Sequence, residues 1–237
     1  MPHAGTTLAI LGYHKIGEPP PDGWETWFYI PEATFAGHLA YLREHGWQPI
    51  GLTAFLRGLT DPTGLPKRAA LITFDDGYRS LLTGAVPWLR RFDYPAVLFM
   101  PTDYVGDRNR FDLESEPEEP MCTWEDLRFL ERQGVAVQSH GAAHRGMSEL
   151  NPAEQRDELA RSKAALEEGL RRPVEVFSFP YGDNGTNPAE LERTLAELGY
   201  RAACLYGGKP VRLPAGQPFR LERVALGPDS DLEAELT

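Results

Sequence analysis

The chain has 237 residues, 41% of them hydrophobic, and a formal net charge of −11, which fits one large domain with a substantial core. Its acidic balance argues against a general nucleic-acid or anionic-membrane binder, because both want a basic face. Two cysteines, Cys122 and Cys204, give neither a disulfide framework nor a Cys-x-x-Cys metal knuckle, and no apolar run approaches the ~20 residues of a membrane-spanning helix.

In chain order, Met1 to Thr7 lacks a basic region followed by a long apolar one, so no secretory signal is read there. A cytoplasmic location is therefore expected, or an extracellular one if a leader has been removed. Leu8 to His14 reads as a first strand ending in a histidine. A Pro/Gly-rich loop with Trp24, Trp27, Phe28 and Tyr29 follows. The spacing of Phe35, Leu39 and Leu42 predicts a helix over 31–45, capped by Gly46.

A polar connector, 58–67, leads into Ala69-Ala70-Leu71-Ile72-Thr73-Phe74, an apolar run suited to a parallel strand covered on both faces. It runs straight into Asp75-Asp76-Gly77: two carboxylates that repel, then a residue free to turn. A helix is expected over 79–91, with Pro87 a kink, then a strand over 96–100. The acidic stretch 114–120, within the long connection 101–121, reads as a solvated loop. Thr123 caps a helix to Arg132, and Val135 to Ser139 is a strand that stops at His140.

Asn151-Pro152-x-Glu154 starts a helix to about Leu170, and Asn187-Pro188-x-Glu190 repeats that signal. Strands are expected over 174–179, 201–206 and 219–226, with no second core, so residues 1–237 form one domain. Alternating strands and helices predict an α/β fold with a parallel sheet, closed as a barrel or left open. In a barrel the active site lies at the C-terminal strand ends. His14, Asp75-Asp76, His140 and Pro180-Tyr181 each directly follow a predicted strand.

His140 and His144 stand four residues apart. Two imidazoles with one carboxylate make a common divalent-metal set. One of Asp75 and Asp76 can bind a metal while the other takes a proton from water.

Three stretches together resemble the polysaccharide deacetylases of carbohydrate esterase family 4, the NodB-homology domain: Thr73-Phe74-Asp75-Asp76-Gly77, Ser139-His140-x-x-x-His144 and Phe179-Pro180-Tyr181-Gly182. The resemblance spans roughly residues 8–226, and Tyr13-His14-Lys15-Ile16 looks like the poly-N-acetylglucosamine deacetylase branch. It implies a distorted (β/α)7-type barrel of mostly parallel strands with outer helices. The implied activity is removal of N-acetyl groups from a sugar or polysaccharide by attack of metal-bound water. The implied partner is an N-acetylated carbohydrate, with no nucleic acid and no membrane insertion. Asp75 would be the general base, and Asp76, His140 and His144 the ligands of a divalent ion, zinc by expectation. Tyr181 would lend its backbone N–H to the oxyanion, and His14 would be the general acid. The family's arginine before the Pro-Tyr-Gly motif is missing, because Phe177-Ser178-Phe179 stands there, and Arg223 is the candidate substitute. No histidine follows His144. Hydrolysis of another non-peptide C–N bond, or carbohydrate binding without catalysis, are the alternatives. Trp124, Tyr104, Phe111 and Tyr181 are candidate sugar-stacking rings.

Overall fold

The computed structural model describes residues 5–237, so the reading of the first four residues lies outside it. The first half runs β1 (Thr7–Tyr13), a short parallel pair β2 (Lys15–Ile16) and β3 (Tyr29–Ile30), α1 (Glu32–Glu44), β4 (Gln48–Pro49), α2 (Leu52–Gly58), β5 (Arg68–Phe74), α3 (Leu81–Gly84), α4 (Val86–Phe92) and β6 (Ala96–Met100). The second half runs α5 (Trp124–Arg132), β7 (Val135–Ser139), α6 (Pro152–Leu170), β8 (Val176–Ser178), α7 (Pro188–Glu197), β9 (Ala202–Cys204), β10 (Val211–Arg212), β11 (Val224–Ala225) and α8 (Leu232–Glu235). Among the described residues no helix is long and apolar enough to cross a membrane.

The principal sheet runs β1-β5-β6-β7-β8-β9, every neighbour parallel. The last segment closes it. Leu221 bridges Cys204 of β9, and β11 then lies parallel to β1, pairing Leu11 with Val224 and Gly12 with Ala225. Seven strands thus form a ring of the distorted (β/α)7 kind, held by a single residue pair between β7 and β8 and by the single Cys204–Leu221 bridge beyond β9.

Strand parity divides the core. Leu8, Ile10, Leu71, Val97, Phe99, Val176 and Ala202 form one cluster inside the ring, closed at the N-terminal end of the strands by Phe55 and Leu56 of α2. The intervening residues, such as Leu11, Ile72, Leu98 and Val137, face outward onto Phe35, Leu39, Leu127 and Leu130 of the helices. A period of two sets this division, and it carries on past the apolar layers to the strand ends.

Several expectations need correction. The expected 79–91 helix is two short helices, broken between Gly84 and Val86, where a Cβ on Gly84 would meet the Ile16 carbonyl at 1.9 Å. The stretch before the polar connector contains α2, whose burial against the barrel floor, rather than periodicity, stabilises so short a helix. Thr123 and Asn151 each complete a capping box, but Asn187 makes no side-chain cap; its amide donates to the Glu190 carboxylate instead. The acidic stretch is not a solvated loop throughout. Glu116 and Glu119 are buried, because Lys15 Nζ lies 2.6 Å from one and 3.3 Å from the other. The three late strands are shorter than expected, and both cysteines are buried free thiols.

Candidate active site

His14, Asp75, His140, Ser178, Tyr206 and Arg223 lie on the inward parity of their strands, one layer above the apolar interior. Asp75 hangs from the extended end of β5, its N–H donating to the Tyr13 carbonyl at 2.9 Å. The chain then turns sharply. Asp76 takes φ 69° and Gly77 φ 84°, and a Cβ at Gly77 would sit 2.1 Å from the Met100 sulfur. That left-handed turn brings two adjacent carboxylates into one cavity, which an extended strand would not do. His144 (φ 56°) and Tyr181 (φ 58°) are likewise left-handed non-glycine residues of this site. Such strain persists only where the surroundings over-determine it, and it gathers at functional sites.

Asp76 is flanked by two imidazoles. Its Oδ1 lies 3.3 Å from His140 Nε2 and 3.1 Å from His144 Nε2. His140 Nδ1 faces the Ser178 carbonyl at 2.8 Å, an acceptor that fixes the proton on Nδ1 and leaves Nε2 a lone pair. The ligating atoms of Asp76, His140 and His144 all lie within 4.8 Å of one another. Asp76 Oδ1 is buried yet, among the described residues, accepts no well-aligned hydrogen bond. These three residues fit a divalent ion: three converging lone pairs, and a buried oxygen that a cation would satisfy.

Asp75 is held differently. Burial alone would raise its carboxyl, but Arg223 and His140 outweigh that and leave it below the ordinary carboxylate range. Arg223 grips it with two bonds, Nη1 to Oδ1 at 2.7 Å and Nη2 to Oδ2 at 2.6 Å. The same guanidinium donates to the Leu205 carbonyl at 2.7 Å, Thr73 Oγ1 at 3.2 Å and Ser178 Oγ at 2.9 Å. Every donor is directed, and Arg223 is 0% exposed. Ser178, which occupies the stretch where an arginine was missing, thus receives one from across the ring.

His14 packs between Phe28 and Tyr206, at ring-centroid distances of 4.4 and 5.1 Å. Its Nε2 lies 3.9 Å from Asp76 Oδ2, and burial pulls its pKa down against the pull of both aspartates. Tyr181 stands in the tight turn Pro180–Gly182, the residue 62% exposed and its hydroxyl 3.1 Å from His144 Nδ1. Among the described residues no backbone acceptor outside that turn takes the Tyr181 N–H. Of the other expected stacking rings, Phe111 lies against His144 and Tyr104 against Phe111, whereas Trp124 packs over Gly169 on the outer face. The cavity holds about 230 Å³ and is bounded by the four acid and imidazole side chains, His14 and Tyr181.

Residues 63–203 match the family model described as polysaccharide deacetylase. The chain belongs to the polysaccharide deacetylase family. The poly-β-1,6-N-acetyl-D-glucosamine N-deacetylase of Escherichia coli K12 is 28% identical over 232 residues, 84% of this chain but 33% of that protein. YxkH of Bacillus subtilis is 26% identical over 193 residues, covering 81% of this chain and 63% of its own. The chain therefore spans about a third of the first relative and under two thirds of the second. Among solved structures, IcaB from Ammonifex degensii superposes with a TM-score of 0.80 at 26% identity, covering 95% of this chain and 94% of that one.

The sequence of this family member pointed to seven residues, and six of their side chains line or grip one site; the seventh, Tyr181, borders it with both its backbone and its ring. Thr73, Ser178 and Tyr206 were missed as parts of it. Their signal was available in the parity count, since each stands two residues or an even number of residues from a core-facing neighbour on its strand. Lys15 and Glu116 were also missed. No local pattern pairs residues 101 positions apart.

Proposed function

We propose that the chain is a metal-dependent hydrolase that removes N-acetyl groups from an N-acetylated glucosamine polymer or oligomer. The observation that carries the reading is the division of labour between adjacent aspartates, one gripped by Arg223 and the other facing two imidazoles. Family membership and the relative acting on poly-β-1,6-N-acetyl-D-glucosamine support the substrate class.

Asp76, His140 and His144 would hold the ion, and zinc suits one carboxylate with two imidazoles. Once bound, it would supply Lewis acidity toward the amide carbonyl and make water a better nucleophile near neutral pH. The chain's own residues account for the protons. Asp75, kept ionised by Arg223, takes a proton as water adds to the amide carbon. The Tyr181 N–H serves the oxygen on which charge develops. His14 delivers a proton to the departing nitrogen as the C–N bond breaks, leaving acetate and a free amine.

Acetate release from N-acetylglucosamine oligomers by zinc-loaded protein tests this reading, with Asp76→Ala and Asp75→Asn alongside. Asp76→Ala loses zinc and turnover together. Asp75→Asn keeps zinc while turnover falls about 10²–10⁴-fold, the usual contribution of a positioned base. Full activity of Asp75→Asn, or zinc bound undiminished by Asp76→Ala, would overturn it.

A further inference from the structure

Both imidazoles of the metal-ligand set come from one short loop, His140 to His144, which leaves the end of β7. The sheet does little to hold it there, since β7 pairs with β8 through Ser139 and Phe177 alone. The loop also carries two left-handed residues, Gly141 at φ 83° and His144 at φ 56°. A non-glycine residue stays in that region only where its surroundings over-determine it.

The hold comes from α6, which packs against β7. Glu158 of that helix is 4% exposed and brings its carboxylate to the backbone of the loop. Its Oε1 accepts from the Ala143 N–H at 2.6 Å, and the Ala142 N–H also faces it. The approach is so close that a Cβ on Gly141 would sit 2.8 Å from the same oxygen. One helical turn later, Ser162 Oγ meets Ser139 Oγ at 2.8 Å, and Ser139 Oγ accepts from the Gly141 N–H at 3.3 Å.

The carbonyls of the loop are taken from another direction of the chain. The Thr102 N–H donates to Gly141 at 3.1 Å and the Asp103 N–H to Ala142 at 2.9 Å. Arg161 of α6 links the two anchors, its guanidinium 3.2 and 3.3 Å from the Asp103 carboxylate and 3.9 Å from Glu158 Oε2. A buried carboxylate is costly to desolvate without partners. Here those partners are N–H groups of the ligand-bearing loop. None of these bonds uses a metal-ligating atom, so they can form whether or not an ion is bound.

We propose that Glu158 is a positioning residue for the metal site: by accepting the backbone N–H groups next to His144, it holds the His140–His144 loop in its ligating shape before an ion arrives. The inference rests on Asp76, His140 and His144 being the ligands, and it adds what orients two of them.

The test is zinc affinity by competition against a chromogenic chelator, for wild type, Glu158→Met, Glu158→Gln and Leu159→Ala. Methionine fills a similar volume but accepts no N–H, whereas glutamine keeps one acceptor oxygen. Leu159→Ala, on the same helix and at a fully buried position, removes core packing and none of these bonds. Glu158→Met should weaken zinc binding about 10–100-fold, the scale of losing a group that orients metal ligands. Glu158→Gln should restore most of that affinity, and Leu159→Ala should bind zinc as wild type does while melting at a lower temperature. Undiminished affinity in Glu158→Met, or an equal loss in Leu159→Ala, overturns the proposal. Amide hydrogen exchange on zinc-free wild type decides it even if Glu158→Met does not fold. An Ala143 amide protected before zinc is added supports a loop already held by Glu158, and protection that appears only with zinc overturns it. If wild type binds no zinc while Ala143 stays protected, the ligand assignment fails and Glu158 remains the holder of the loop. No zinc binding with Ala143 unprotected overturns both.

Discussion

Asp75 and Asp76 are adjacent in sequence and have the same chemistry but differ in the partners that hold them. Asp75 is gripped by one fixed cation, Arg223, with His140 Nε2 farther off at 3.9 Å. Asp76 meets two imidazoles whose charge depends on pH. The consequences differ too. In the metal-free protein, the depressed pKa of Asp75 contributes stability that is present above the ordinary carboxylate value and is lost as pH falls through the lower folded one. His140 behaves oppositely. Burial alone would lower its pKa, but Asp75 and Asp76 raise it above the ordinary 6.5. A zinc ion must displace that proton, because only neutral imidazole offers its lone pair. Zinc affinity should therefore fall about tenfold per pH unit below the raised His140 pKa. It should fall more steeply at lower pH, where His144, lowered by burial, also takes up a proton. Competition against a chromogenic chelator between pH 5 and 8 measures this. Affinity independent of pH over that range would show that these imidazoles are not the ligands.

At the scale of the elements, local signals worked where the partner was local. Thr123 with Asp126 and Asn151 with Glu154 are capping boxes in sequence and in structure, because both bonds close within one turn. Asn187 carries the same letters but has φ −129° and ψ 75°, so its side chain misses the helix N–H groups. The connection 101–121 failed in the other direction. Its acidic residues look solvated by composition, yet Glu116 and Glu119 face Lys15 of β2, and Tyr29 adds a 2.5 Å hydrogen bond to Glu119. Lys15→Met should therefore destabilise the protein by about 3–5 kcal/mol, since two buried carboxylates lose the one cation that reaches them among the described residues. Adding Glu116→Gln and Glu119→Gln should recover part of the loss. Denaturant melts of the single and triple variants check this, and a Lys15→Met melt equal to wild type would show that the cluster contributes nothing.

For the molecule as a whole, ring closure and the site are one event. The segment that bridges β9 at Leu221 and pairs with β1 at Val224 carries Arg223 between those two contacts. Closing the barrel therefore drives a guanidinium through to Asp75, 148 residues earlier in the chain. Arg223→Lys keeps the charge but has a single nitrogen and cannot form the paired bonds or reach Leu205 and Ser178 together. Turnover should fall about 10–100-fold, the scale of a misplaced reacting group. The acid limb of the pH–rate profile should move to higher pH, because a less stabilised Asp75 protonates sooner. A wild-type profile in Arg223→Lys would remove Arg223 from its positioning role.

By itself, the chain's pattern determined the alternation of strand and helix, the helix starts whose caps close locally, and the chemical types waiting at the strand ends. Those follow from periodicity and from contacts within a few residues. Only the tertiary structure decided that the ring closes through Leu221 and Val224, that Arg223 on that segment pairs with both oxygens of Asp75, and that Lys15 draws two glutamates inward. Each depends on groups tens to hundreds of positions apart. Such pairings are selected by which side chains the folded barrel desolvates together, and a buried charge takes whatever partner lies within reach.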